Sequence, residues 1–479
     1  MPKQSFSILF TASECTPFVK IGGLGDVIGS LPQALAKEGV KVSVMLPEYS
    51  FIRKNWKSKL RTVAHGTTIV HHNRKKERIG VSTLKLPGNP VTYYFLSHPL
   101  FSVKNPYTKA QKNERFILFS KAVVEAVHQT KLPCDIIHAH DWHTAWVPTF
   151  IDTLSVEKRY RNIPSVFTIH NLNYQGSTAR SVIQHFELPK DSTPSLFEDY
   201  YDIDGAALNA MKLGILSANL VTTVSPSYAQ EILSPEHGDG LETFLSRRKK
   251  HLIGIVNGID TTIFNPARDA ALSKIYTAKT VRLGKEVNKK SLQRELRLPS
   301  SKAPLFSIVS RLTTQKGIDI LAQALPMFLQ NDLQVAILGS GDKILERSLQ
   351  KLAKQFPKKL SITLGFNEKL AHKIYAASDF FIMPSLFEPC GLGQMIAMRY
   401  GTVPLVRKTG GLQDTVQNNK TGIVFKEYSA QALSEALLRA LKLYDNKRAW
   451  YTMINRCMKE NFSWNRSAKE YVKIYNQLV

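Results

Sequence analysis

The sequence predicts an α/β fold made of two doubly wound units, and three observations carry that expectation. Short apolar, β-branched runs recur along the chain, longer segments of helical period separate most of them, and the same alternation restarts near residue 252. A length of 479 residues fits two large domains better than one small fold.

In the first half, strand-like runs lie at 7–13, 41–47, 93–98, 135–140, 165–171 and 220–225, with helical periods at 28–38 and 116–129. The apolar stretch 6–12 is soon interrupted by Glu14 and no small-residue cleavage pattern follows, so it reads as a first strand, not a secretory signal. In the second half the runs are 252–256, 305–311, 333–338, 361–365, 380–384 and 403–407. Between the halves stand a polar, Gly-containing stretch at 234–240 and the basic run 247–250, the composition of an exposed connection. This gives an N-terminal domain over 1–247, a C-terminal domain over 248–457 and a tail over 458–479. The tail has helical spacing, with Tyr471, Ile474 and Tyr475 on one side, so it must dock on something.

Composition narrows the function classes. With 43% apolar and 21% charged residues, the chain should fold throughout. Cys15, Cys134, Cys390 and Cys457 stand singly, without a C-x-x-C pair, which fits a reducing cytoplasm. No window offers the roughly 18 apolar residues of a membrane span. The 64 basic side chains exceed the 38 acidic ones by 26, a field that gathers anions but names none. The basic runs near 53–61, 74–78, 247–250 and 358–359 read as solvated faces. Only Trp56 among nearby aromatics could serve base stacking, so a nucleic-acid binder is a rival reading without a motif.

Five segments could carry chemistry. Lys20-Ile-Gly-Gly-Leu-Gly-Asp26 precedes a helix expected from about Val27. Its glycines let backbone N–H groups approach an anion, and Lys20 adds a full charge, so a phosphate suits it. It is not a G-x-G-x-x-G fingerprint, because Ile28 takes the last glycine position, and a plain tight turn is the competing account. His138-Ala-His-Asp-Trp-His143 closes a strand. A metal hydrolase would want its carboxylate where Trp142 stands, so hydrogen-bonded packing suits His138 and His140 better, with Asp141 at the ligand-facing strand end. His170, within Thr168-Ile-His-Asn-Leu-Asn-Tyr174, is either a site residue or a satisfied histidine. In the second half, Ser310-Arg-Leu-Thr-Thr-Gln-Lys-Gly317 places Arg311 and Lys316 at a strand's carboxyl end, suited to two phosphates. Phe387-Glu-Pro-Cys-Gly-Leu392 turns into a helix whose N–H groups could hold hydroxyls, and Glu388 could be an acid, a base or an acceptor.

These segments, with Asn257-Gly-Ile-Asp260 and Thr409-Gly-Gly-Leu412, together resemble the bacterial glycogen synthase and plant starch synthase family over nearly the whole chain. The resemblance implies two Rossmann-like domains of the GT-B type facing across a cleft, with the C-terminal helix crossing back to the first. It implies retaining transfer of glucose from ADP-glucose to the non-reducing 4-hydroxyl of an α-1,4-glucan, with no cofactor and no metal ion. By matching position, Lys20, Arg311 and Lys316 would hold the donor diphosphate, Gly22 and Gly23 would give backbone contacts beside Asp26, and Gln315 would hold the polar framework. Asp141, His170 and Asn257 would lie near the glucosyl unit. Glu388 and the amides of Cys390, Gly391 and Leu392 would hold its hydroxyls, and Phe366 would stack on adenine.

Two departures from the family pattern stand out. Gly393 replaces a hydroxyl residue, and the segment 97–115 carries Lys104, Lys109 and Lys112 where relatives are often acidic. The position eight residues after Glu388 is Ile396, so the paired carboxylates of some related retaining enzymes are absent. That favours front-face substitution over a covalent intermediate of the glycosidase kind. A transferase of the same build using UDP-glucose or another acceptor is the near alternative.

Overall fold

The computed structural model describes residues 6–109, 111–155, 161–186 and 207–479. Two compact units emerge. One comprises the chain up to Val224, Ala229–Gly258 and Trp464–Val479, and the other Ser225–Tyr228 and Ile259–Ser463.

The first unit is built on β1 (Ser7–Thr11), β2 (Lys41–Pro47), β3 (Arg61–His72), β4 (Lys75–Lys85), β5 (Thr92–Ser97), β6 (Ile136–His140), β7 (Ser165–Ile169), β8 (Ser177–Ala179), β9 (Ala207–Asn209), β10 (Leu220–Thr223) and β11 (Leu252–Gly254). Nine of them form one sheet in the order β11-β10-β7-β6-β1-β2-β5-β4-β3. It is parallel except where β4 pairs with β3 and β5. β1, β6 and β7 are buried along their whole length, as strands covered on both faces must be, and the polar residues they carry are buried with the apolar ones. β8 and β9 form a separate antiparallel pair.

Helix Gly23–Lys37 buries Leu24, Val27, Ile28, Leu31, Ala34 and Leu35, the spacing of one helical face. Helix Trp464–Tyr475 belongs to the same core through Trp464, Ala468, Tyr471, Ile474 and Tyr475. The phenol of Tyr475 meets His138 Nδ1 on β6 at 2.7 Å, so a polar bond fixes the tail's register on the sheet.

The second unit has one parallel sheet of β12 (Leu305–Val309), β13 (Gln334–Gly339), β14 (Leu360–Leu364), β15 (Phe380–Met383), β16 (Val403–Arg407) and β17 (Ile423–Phe425), ordered β14-β13-β12-β15-β16-β17. The winding direction reverses between β1 and β6 in the first sheet and between β12 and β15 in the second. In open α/β sheets the crevice outside the strand ends at such a reversal is where ligands bind.

Two expectations are corrected. The run at 252–256, assigned to the second half, forms the outer strand of the first sheet by pairing with β10. The helix after the glycine loop starts at Gly23, not near Val27, so Asp26 lies in its first turn. The basic side chains of the stretch 74–78 are exposed, as a solvated face requires, and they sit at the turn and opening of the β3–β4 hairpin, where Asn73 and Arg74 take the left-handed conformations of a tight hairpin turn. No helix among the described residues is long and apolar enough to cross a membrane.

Candidate active site

In the first unit, the loop leaving β1 supplies a residue that sequence reasoning had used only as an interruption. Glu14 is buried, and its Oε2 accepts from the N–H groups of Ile21 (2.6 Å) and Gly22 (2.8 Å). The hydroxyl of Tyr107, from the connection before helix Lys112–Gln129, donates to Glu14 Oε1. A carboxylate of the chain itself therefore occupies two amides of the glycine loop. The N–H of Gly22, a residue expected to give a backbone contact, is held by Glu14. Gly23 begins the helix, and a Cβ there would meet nothing within 4 Å, so its flank is open. Gly25 is required for close approach, since a Cβ would press on the Val19 carbonyl and Lys20 Cα at 3.2 Å. Lys20 Nζ lies 2.7 Å from Asp26 Oδ1, both about one-third exposed.

Across the switch point, β6 is followed by Asp141, whose φ of 56° is a strained conformation for an aspartate. Its Oδ1 accepts from the N–H of His170 at 2.7 Å and from that of Asn171 at 3.4 Å, tying the carboxyl ends of β6 and β7 together. Burial pushes the Asp141 carboxyl up to about 7, against the opposing pull of those two backbone bonds. His140 Nδ1 and His170 Nε2 are 3.0 Å apart, and burial lowers both rings below the ordinary histidine range, to about 3 for His170. Two neutral imidazoles sharing one proton fit that contact. His138 is structural, with Nε2 on Thr168 at 2.6 Å and Nδ1 on Tyr475. The three histidines at 138–143 thus do not converge on one point. Asn257 is buried, and its Oδ1 has no partner among the described residues, the condition of an acceptor awaiting a donor.

In the second unit, the loops after β12 and β15 flank the switch point and meet in an ion pair. Lys316 Nζ contacts Glu388 Oε1 at 2.8 Å and Oε2 at 2.6 Å, and the Ser385 hydroxyl adds a bond to Oε2 at 3.1 Å. Glycine makes this approach possible: Gly317 has φ 69°, and a Cβ there would sit 2.0 Å from the Pro384 carbonyl. Arg311 is held by Gln315 Oε1 at 3.0 Å, while the Gln315 carbonyl accepts from Leu386 N–H at 2.9 Å, so Gln315 links the two loops.

Cys390 is buried. Gly391 is left-handed (φ 74°), and Leu392 caps helix Gly393–Arg399. The loop is braced by Gln394 Nε2, which donates to the carbonyls of Cys390 (3.1 Å) and Gly391 (2.9 Å). Phe366, just past β14, is 83% exposed, an uncovered aromatic face at the strand's carboxyl end. Sequence reasoning missed Glu14 and Tyr107. The signal available for Glu14 was a charge one loop beyond a fully apolar strand, while Tyr107 carried none.

A family model described as the starch synthase catalytic domain matches residues 7–247, and one described as glycosyl transferases group 1 matches 289–454. The chain is 42% identical to a glycogen synthase of Exiguobacterium sibiricum over 98% of its own length and 99% of the relative's. It is 38% identical to a glycogen synthase of Anoxybacillus flavithermus, over 98% of both chains. Among solved structures, the catalytic domain of starch synthase IV from Arabidopsis thaliana, bound to ADP and acarbose, superposes with a TM-score of 0.89 at 34% identity over 99% of both chains. A sucrose-phosphate synthase from Thermosynechococcus elongatus, 18% identical with a TM-score of 0.62, shares the fold.

Proposed function

Since this chain belongs to the bacterial glycogen synthase and plant starch synthase family of retaining glycosyltransferases, we propose that it transfers glucose from ADP-glucose to the non-reducing 4-hydroxyl of an α-1,4-glucan in the cytoplasm. The carrying observation is the Lys316–Glu388 pair, an ammonium and a carboxylate fixed together at the switch point of the second sheet. Such a pair offers a cation to phosphate and an acceptor to a sugar hydroxyl within a few ångströms. Lys316 and Arg311 take the donor diphosphate and stabilise charge on the departing ADP. Phe366 stacks on adenine, and Glu388 with the amides of Cys390, Gly391 and Leu392 orients glucose.

In the first unit, Lys20 and the open start of helix Gly23–Lys37 offer positive potential to an anion. Asp141, His170 and Asn257 handle the glucosyl centre. Retention follows from front-face substitution: the leaving phosphate accepts the proton of the attacking hydroxyl, and the His170 carbonyl stabilises the oxocarbenium-like carbon. A glucosyl adduct trapped on Asp141 or Glu388 and seen by mass spectrometry would refute that route.

The deciding experiment follows labelled glucose from ADP-glucose and from UDP-glucose, with and without glycogen. The reading expects incorporation into glucan that needs glycogen and prefers ADP-glucose. Transfer from UDP-glucose alone would reassign the donor, and no transfer with a salt-dependent nucleic-acid shift would favour a basic binding protein.

A further inference from the structure

Apart from the residues discussed above, the first unit gathers three histidines and two glutamates from five segments. His72 ends β3, Glu77 lies near the start of β4, His98 follows β5, Glu114 stands in the first turn of helix Lys112–Gln129, and His185 sits in the short helical turn Gln184–Phe186. His72 Nε2 is 3.0 Å from Glu114 Oε1, and His185 Nδ1 is 3.2 Å from the same oxygen. These three atoms lie within 4.8 Å of one another. We propose that His72, Glu114 and His185 form a binding site for a divalent transition-metal ion of the zinc class.

The geometry is close to what such an ion needs. With metal–ligand bonds of about 2.0–2.2 Å, ligand atoms at tetrahedral corners lie about 3.4 Å apart, so side-chain adjustments of a few tenths of an ångström admit the ion. Two imidazoles and one carboxylate select zinc, nickel, cobalt or copper over magnesium and calcium, which take all-oxygen shells.

The surroundings support the same reading independently. His72 Nδ1 is 3.0 Å from Glu77 Oε1, and the other oxygen of Glu77 bonds to His98. A ligating histidine ordinarily gives its second nitrogen to a carboxylate in this manner, which fixes the tautomer and raises basicity. The backbones of two ligand segments are also pinned together. Asn73 N–H donates to the His185 carbonyl at 2.5 Å, and the buried Lys121 ammonium donates to the carbonyls of His71 and Phe186. Lys121 opposes the ion's charge, whereas Glu77 and Glu114 offset it. The His185 side chain is 38% exposed, against 6% for His72, so entry is from its side and a fourth position faces water.

The test uses tag-free, chelator-treated full-length protein titrated with Zn2+ by calorimetry and with Co2+ by visible absorption. The expected result is one equivalent bound at micromolar or tighter affinity, with the intense visible bands of four-coordinate Co2+ and a raised thermal midpoint. His185→Ala, at a half-exposed position that should fold normally, is expected to abolish the Co2+ bands. Glu77→Gln is expected to weaken affinity about 10- to 100-fold. Absence of stoichiometric binding to the wild type, or equal binding by wild type and His185→Ala with circular dichroism unchanged, would overturn the site and leave the cluster a set of imidazole–carboxylate ion pairs.

Discussion

Replacing Lys316 by Ala tests stability and catalysis at one atom. In the folded protein Glu388 has a 6% exposed side chain with three polar bonds, two of them from Lys316. Truncation leaves Oε2 with Ser385 alone and takes from Oε1 its bond to Lys316. Breaking a fully buried pair costs about 3–5 kcal/mol. Lys316 retains 19% exposure and Ser385 remains, so the discounted figure is about 2 kcal/mol. In a unit of roughly 200 residues that corresponds to a fall of about 4–8 °C in its thermal midpoint. Adding Glu388→Gln removes the stranded charge, and the double variant should regain most of that loss. Turnover should behave differently. Loss of one preorganised donor to developing charge costs about 10²- to 10³-fold, and neutralising Glu388 cannot restore it. Thermal unfolding and labelled-glucose incorporation, measured on both variants, separate the effects. A Lys316→Ala protein with near-wild-type turnover, or a rate that returns in the double variant along with stability, would remove Lys316 from the chemistry.

Asp141→Asn should flatten the pH dependence of stability. The folded carboxyl holds its proton to about pH 7 while the unfolded chain releases it near 4, so the wild type loses stability as pH rises through that window. Urea midpoints measured across it should converge toward acid pH, and parallel curves would refute the assignment. Tyr475→Phe leaves buried His138 Nδ1 without its partner and should cost about 1–3 kcal/mol by urea denaturation, with the fold retained. Phe366→Ala should leave the thermal midpoint unchanged, because the ring is 83% exposed, while raising the KM for the nucleotide sugar. Stacking worth about 1–3 kcal/mol converts to an increase of about 5- to 150-fold, and an unchanged KM would exclude the stacking role.

The sheets and the loops at their carboxyl ends were legible because each is a local pattern. A strand buried on both faces is mainly apolar, as β12 is, and the loop that follows must change abruptly to glycine and polar residues if it meets a ligand. Features that depend on chain return were not legible. Glu14 is defined by the glycine loop folding back onto it, and Tyr107 reaches it from 93 positions away. The β3–β4 hairpin was hidden by its charged turn, and Leu252–Gly254 by the resumption of a strand pattern that two sheets could equally have accepted. Burial of the four cysteines as free thiols accords with their scattered spacing.

The charge of the candidate site differs from that of the chain. Lys20 faces Asp26 in the first unit and Lys316 faces Glu388 in the second, so each of these two cations already carries a carboxylate. Glu14 likewise takes two amides of the glycine loop. An incoming anion therefore meets donors whose positions are fixed and whose charge is largely balanced. Its binding must come from exchange of partners and close geometry, not from the field of 26 excess positive charges. This division favours catalysis. Cations held in place by built-in carboxylates need little reorganisation when charge moves onto the departing phosphate, and unbalanced cations would have spent the same attraction on holding the substrate before it reacts.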